Sequence, residues 1–521
     1  MSRSTSRFVQ SERKALENLV DYPPEEGFDM VAGDFQRMSV RKPGTQLIDK
    51  GSFERLHDAT LDVLEKDGLR VYSGKALALL QEHGADADRK SLVVKFPRHM
   101  VGDALRSVPS GFTLRARNRR YDLKLDGRHV YFTFDGCGVQ AIDLDTGKRR
   151  PARKQDIVDT ARIADHLPGV GYYTPPVAPQ DVPLHAHVLH QVHTGYMNTE
   201  KFVMSESTTT ALEAKLQIEM AAAVAGGEKE LWRSPSLSAV VCSVSPLILD
   251  GGGSEAAIEF ARAGIPINIM SMAQAGVSSP ATLAGNLLVN NAEMLGLLTL
   301  AQCAKKGARV VYSSALAMTE PRTGAYVSGA PEAVLTCAAA VELGKHYGMP
   351  TQAAAFGTNA LEPGSQAAAE HMITAFTCVN SGADMLNGFG LLEGSTVLSY
   401  EQMMLDYDIV TELLATFKGI EVDGEALARD LVSEVGIAGN YLAKRHTLEH
   451  LREAWQPLVY EFTNFEDWSK RGAVSPVRKA NQIAKAILRE HTPVPPDADT
   501  VKELDEVLRR GEKELAKAST H

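Results

Sequence analysis

Residues 237–271 read LSAVVCS (237–243), VSPLILDGGGSEAAIEFARAG (244–264) and IPINIMS (265–271). The first and last pieces are short apolar runs, as expected of strands covered on both faces. Between them, 254–263 carries apolar residues at helical spacing and stops at Gly264, where a left-handed cap belongs. Strand, helix and strand in that order make a parallel crossover unit.

The unit repeats in both directions. Strands are expected at 130–134, 170–174, 202–205, 237–243, 265–271, 309–313, 351–356 and 385–389. Helices follow them at 154–166, 184–197, 210–225, 254–263, 281–304, 331–347, 365–379 and 400–416. Eight consecutive βα units favour an α/β fold closed into a TIM (β/α)8 barrel over an open doubly wound sheet, which rarely needs that count without a dinucleotide fingerprint. The expected organisation is an N-terminal helical layer and hairpin (1–125), a barrel (126–416) and a C-terminal helical extension (417–521). In the first part, 52–67 and 74–83 read as helices, and 121–125 with 130–134 as a hairpin turning at Asp126-Gly127. In the last, 424–435, 448–454, 473–489 and 501–518 read as helices around a linker at 493–496. The charged final helix is expected on the outside of the barrel or on another subunit, and the external helices and chain length point to a homo-oligomer.

The chain has 521 residues, 44% hydrophobic and 23% charged, which suits a folded protein with a sizeable core. Its 55 Lys plus Arg against 65 Asp plus Glu leave a net charge of −10, so neither nucleic acid nor a polybasic membrane contact is expected. Five scattered cysteines without a C-x-x-C pair indicate neither a disulfide framework nor a zinc knuckle, and a reducing cytoplasm is the expected location. Residues 1–26 lack the apolar core of a secretory signal, and no run reaches the roughly 18 apolar residues of a membrane span.

Function in such a barrel sits at the C-terminal ends of the strands. Those positions hold Asp135, Gly136 and Cys137; Tyr173 and Thr174; Glu206; Ser243 and Ser245; Met272, Gln274 and Gly276. The later strands lead to Met318, Glu320 and Arg322, then Phe356, Gly357, Thr358 and Asn359, and finally Phe389, Gly390 and Glu393. No lysine ends a strand, which disfavours a Schiff-base aldolase, and no histidine does, which disfavours a metal hydrolase. Aromatic rings, carboxylates and neutral polar groups suit a permanent cation. Plainer readings stand beside this one. Tyr173, Phe356 and Phe389 also suit core filling, and Glu206 a backbone cap. His187, His190 and His193 share a helix side and could hold a metal, though a polar helix face is simpler. Gly251-Gly252-Gly253 and Gly388-x-Gly390 could cradle phosphate, and Cys137 could act as a nucleophile, without an identifiable base.

Several motifs together resemble the trimethylamine methyltransferase family. They are Gln274-Ala-Gly276-Val-Ser-Ser-Pro280-Ala-Thr-Leu283-Ala-Gly285, Asn291-Ala-Glu293, Arg322-Thr-Gly324, Gly329-Ala-Pro331-Glu332 and Tyr347-Gly-Met-Pro350. Gly357-Thr358-Asn359-Ala-Leu-Glu-Pro363-Gly-Ser-Gln366, Gly388-Phe-Gly-Leu-Leu-Glu393-Gly-Ser395, Leu56-His57 and Arg115-Ala-Arg117-Asn118 add to them. The resemblance spans about residues 45–415. It implies a barrel that moves a methyl group from an amine to the cobalt of a corrinoid (cobalamin) carried by a partner protein, with no tightly bound cofactor or metal of its own. The trimethylamine enzymes of methanogens carry pyrrolysine near the stretch matching 358–362, whereas this chain has only standard residues.

That departure points to the non-pyrrolysine branch, which resembles glycine betaine:corrinoid methyltransferase. A quaternary ammonium leaves as a neutral tertiary amine and needs no covalent activation. The expected substrate is therefore a quaternary amine, glycine betaine first, with proline betaine, carnitine and choline open. Positioning and desolvation then do the work, and no acid–base or nucleophilic residue is assigned. From strand-end position, Tyr173, Phe356 and Phe389 would cage the trimethylammonium, and Asp135, Glu206 or Glu393 would supply charge. Arg322 would grip a carboxylate, and Gln274, Thr358 and Asn359 complete the expected substrate contacts. Two alternatives are a phosphate-gripping barrel lyase and a non-catalytic betaine-binding protein.

Overall fold

The computed structural model describes residues 46–134 and 136–518. Eight parallel strands form its centre: β1 (Tyr131–Phe132), β2 (Tyr172–Tyr173), β3 (Phe202–Ser205), β4 (Leu237–Cys242), β5 (Ile267–Ser271), β6 (Val310–Ser314), β7 (Thr351–Ala354) and β8 (Met385–Asn387). Each pairs with the next, β8 pairs with β1 through Met385↔Tyr131, and a bridge between Phe132 and Val170 closes the ring. Helices follow the strands in turn: α1 (Lys154–His166), α2 (His187–Asn198), α3 (Ala211–Ala225), α4 (Gly251–Ala263), α5 (Leu283–Ala304), α6 (Pro331–His346), α7 (Ser365–Asn380) and α8 (Tyr400–Phe417). The protein is a (β/α)8 barrel, as the repeated unit predicts.

Side chains alternate between the two faces of each strand, and this alternation sorts the core. Outward residues such as Leu386 join the large core between strands and helices, while Met204, Val240, Met270, Val311 and Met385 fill the interior. A polar layer lies among them: Gln352 Oε1 accepts from Asn268 Nδ2 at 2.7 Å and from Ser313 Oγ at 3.1 Å. These two bonds offset part of the cost of burying the groups.

The expected hairpin between 121–125 and 130–134 does not form. Leu123–Leu125 pairs antiparallel with Phe112–Leu114 instead, and Leu114, Tyr121, Leu123 and Leu125 plug the N-terminal end of the barrel. Tyr131–Phe132 is needed to close the barrel, so the Asp126-Gly127 turn only redirects the chain. At the same end Lys201 is buried, and its Nζ donates to the carbonyls of Ala164, Leu167 and Val170 at 2.6–2.7 Å. It secures the end of α1, far from the mouth.

The helix Lys50–Asp62 is continued by a wider turn over Val63–Asp67, and with Arg98–Ser107 it packs on α5. That contact explains why α5 is apolar nearly all round. Beyond α8, α9 (Pro476–Glu490) packs on α8, and α10 (Ala498–Ala518) packs on α2 and α3. The charged last helix therefore covers the outside of its own barrel. Its Glu512 and Asp505 take His190 Nε2 and His193 Nε2, each at 2.8 Å, so these histidines are docking groups rather than metal ligands.

Candidate active site

The inward alternation of the strands continues past their C-terminal ends and builds a recess. Glu206 stands two residues after Met204, Cys242 two after Val240, Met272 two after Met270, and Asn387 two after Met385. All four line the recess with Met270, Ala315 and Ala354. The two alanines leave space where larger side chains fill the layers below. Cys137 comes from the loop after β1, Tyr326 and Ser328 from the loop after β6, and Gly394 and Ser395 from the loop after β8. The recess holds about 770 Å³ of empty space, its open mouth included.

A small hairpin, Ala317–Thr319 with Tyr326–Val327, overhangs this space. Tyr326 leans across the end of β6 and donates its hydroxyl to the carbonyl of Ala315 at 2.8 Å. Asn359 holds the hairpin's return: its Oδ1 accepts from Ser328 N at 3.0 Å and its Nδ2 donates to Tyr326 O at 2.8 Å. Gln274 Nε2 donates to the carbonyls of Gly324 and Ala325, both at 3.3 Å. Thr358 Oγ1 donates to Glu370, which also accepts from Asn359 N at 3.0 Å. Gln274, Thr358 and Asn359, expected at the substrate, therefore hold the walls that face it.

The other expected site residues divide. Glu206 lines the recess. Phe356 does too, but its ring is 1% exposed and packs edge-on against Phe132 and His371. Phe389 is buried against Phe134 and Phe356, with ring centroids 4.5 and 5.6 Å apart. Tyr173 faces α1, donates its hydroxyl to Ile157 O at 2.9 Å, and has its pKa pushed up by burial. The expected cage of Tyr173, Phe356 and Phe389 is thus not assembled: Tyr173, one residue after inward Tyr172, points outward to α1, whereas Phe356 and Phe389, beyond the ends of their strands, pack against one another in the core behind the wall. Arg322 is exposed at the hairpin tip, where its backbone N donates to Glu320 at 2.7 Å. Glu393 pairs with Arg149. Neither lines the recess. Asp135 lies outside the described residues.

Other expectations are corrected by the same geometry. In the triple-glycine run, Asp250 caps the helix and accepts from Gly253 N at 2.9 Å, so the amide a phosphate would use is taken. A Cβ on Gly252 would stand 1.7 Å from Thr209 O, which explains the glycine by close packing. Gly390 N is spent on Asp406 Oδ2 at 2.7 Å. Ser243 and Ser245 turn away from the mouth onto Glu293, at 2.6 and 2.9 Å.

That buried Glu293 was missed as a structural centre. It also accepts from Ser271 Oγ and Leu247 N, each at 2.8 Å, tying β4 and β5 to α5 directly behind Cys242 and Met272. A lone carboxylate in an otherwise apolar helix was the available signal. His371 and Asp406, both fully buried and 2.8 Å apart, back the Phe356 wall in a similar way. Asn387, Tyr326 and Cys242 were missed as lining groups; inward alternation would have found the first and third.

Comparison with known proteins agrees with this architecture. The family model described as Trimethylamine methyltransferase (MTTB) matches residues 26–516. The trimethylamine methyltransferase MttB of Desulfitobacterium hafniense (strain DSM 10664 / DCB-2) is 36% identical over 440 residues, 84% of this chain and 88% of that one. MttB of Methanosarcina barkeri (strain Fusaro / DSM 804) is 32% identical over 463 residues, 88% and 93% of the two chains. A glycine betaine methyltransferase of Desulfitobacterium hafniense (strain Y51) is 28% identical over 480 residues, 91% and 98%. The crystal structure of the Methanosarcina barkeri monomethylamine methyltransferase MtmB shares the fold, with a TM-score of 0.51 at 13% identity over 91% and 88% of the chains. With a barrel of this form, a recess at its mouth and relatives matched over most of their length, the chain belongs to the trimethylamine methyltransferase family.

Proposed function

We propose that this methyltransferase moves a methyl group from a quaternary amine to the cobalt(I) of a corrinoid carried by a partner protein, and releases the tertiary amine. Glycine betaine, giving dimethylglycine, is the candidate suggested by one relative's name. The observation that carries the reading is the recess itself: among its described lining residues stands one carboxylate, Glu206, beside thioether, thiol and tyrosine surfaces. An anionic group in a partly dry, polarisable site favours a permanent cation over a neutral amine. Such a substrate needs no proton donor, because the electron pair of the breaking C–N bond stays on nitrogen and neutralises it. The methyl carbon accepts its new pair from cobalt(I), so the balance is complete without an acid or base.

The chain's own residues supply position and exclusion of water. Glu206 orients the ammonium, Met270, Met272 and Cys242 pack against its methyl groups, and Tyr326 closes over it under the hold of Asn359. The standard residues at 358–362 support a substrate that arrives already cationic. Five free cysteines suit a reducing cytoplasm. The test is to incubate the protein with cobalt(I) cobalamin and each of glycine betaine, proline betaine, carnitine and choline. Methylcobalt absorbance and equimolar tertiary amine are expected with at least one. No methylation with any of the four, using either free cobalamin or a purified corrinoid partner, overturns the reading.

A further inference from the structure

Asn387 ends β8 and is fully buried, yet neither Oδ1 nor Nδ2 has a hydrogen-bond partner within the protein. It lies on the wall of the recess, beside its register neighbour on β7, Ala354. Buried side-chain amides normally find partners, so an unsatisfied one on a cavity wall points to a ligand. Ser328 Oγ, also on the lining, is unpartnered as well. Among the described lining residues there is no lysine, arginine or histidine, and the charged group is Glu206. Arg322, the cation expected for a substrate carboxylate, is outside this lining.

We infer that the recess takes a quaternary ammonium whose tail is neutral and hydroxyl-bearing, with Asn387 as the group that reads that tail. This rests on the quaternary amine reading above and narrows it. A hydroxyl both donates and accepts, so it can use either face of the Asn387 amide and also Ser328. A carboxylate only accepts: it can meet Nδ2, but it faces the lone pairs of Oδ1 and shares a small space with Glu206. Two carboxylates in one partly dry site repel, and among the described lining residues no cation offsets the second one's desolvation. Glu206 attracts the ammonium end of either substrate equally, so the tail decides the preference.

The experiment is calorimetric titration of the full chain with choline, glycine betaine and tetramethylammonium, which has no polar tail. Choline is expected to bind about tenfold or more tightly than glycine betaine. Asn387→Leu should bring choline to the affinity of tetramethylammonium and leave tetramethylammonium unchanged. Should that variant misfold, Asn387→Asp keeps an acceptor for the hydroxyl, so it should retain choline and weaken glycine betaine further. Glycine betaine binding as tightly as choline, or choline binding that survives Asn387→Leu undiminished, overturns the inference while leaving the quaternary amine reading intact. If none of the three cations binds, the inference fails, and the quaternary amine reading is then decided by the four-substrate methylation assay above.

Discussion

Glu206 follows inward-facing Met204 by two residues at the end of β3, so the strand's own pleat aims its carboxylate into the recess. At a few ångströms and an effective dielectric of about 20, attraction to a cation is worth roughly 4 kcal/mol before desolvation is counted. Glu206→Gln should therefore raise KM for a quaternary amine about 10- to 100-fold, with a smaller change in kcat, and steady-state kinetics will read both. Tyr173 makes the contrasting case. Tyr173→Phe removes a buried hydroxyl bonded to Ile157 O, so unfolding in denaturant should show a loss of about 1 kcal/mol. Substrate affinity should stay as it was, and a weakened affinity would return Tyr173 to the site. The two residues also show what a single sequence yields. Both end a strand, and position alone nominated both; only the phase of the alternation, fixed by which neighbours are inside, separates a wall from a core.

At the scale of elements, the hairpin over the mouth is held by side chains from other loops. Asn359→Ala removes its bonds to Ser328 N and Tyr326 O, so amide exchange across 317–327 should accelerate and kcat/KM should fall about tenfold or more. Unchanged exchange would mean that the hairpin stands without Asn359. The docking of α10 carries a pH dependence. Burial, aided by the Lys154 charge, holds the imidazoles of His190 and His193 below their usual range, against the pull of Glu512 and Asp505. The unfolded chain then binds more protons than the folded one as pH falls below about 6.5, so stability is lost in that direction. Protection of α10 should drop between about pH 7.5 and 5.5, and the double change His190→Gln with His193→Gln should flatten that slope. The α helices and barrel strands were legible because each unit repeats one period. The hairpin at 121–134 was misread because a turn signal is local, whereas Tyr131–Phe132 pairs with a strand more than 250 residues away.

For the whole molecule, the barrel supplies a floor plugged by the Phe112–Leu125 hairpin and a mouth whose loops come from six of the eight units. The recess is thus assembled by closure of the ring, and no single segment of sequence contains it. Glycine-rich stretches that suggested phosphate turned out to serve packing and capping, since a glycine's spelling does not say which close approach requires it. The central claim is that the substrate arrives as a permanent cation and leaves as a neutral amine. The most direct measurement compares initial rates of cobalt(I) cobalamin methylation by the purified protein with quaternary amines and with trimethylamine at equal concentration. The account predicts methylcobalt formation from a quaternary amine and none above background from trimethylamine. Methylation from trimethylamine at an equal or greater rate would contradict it.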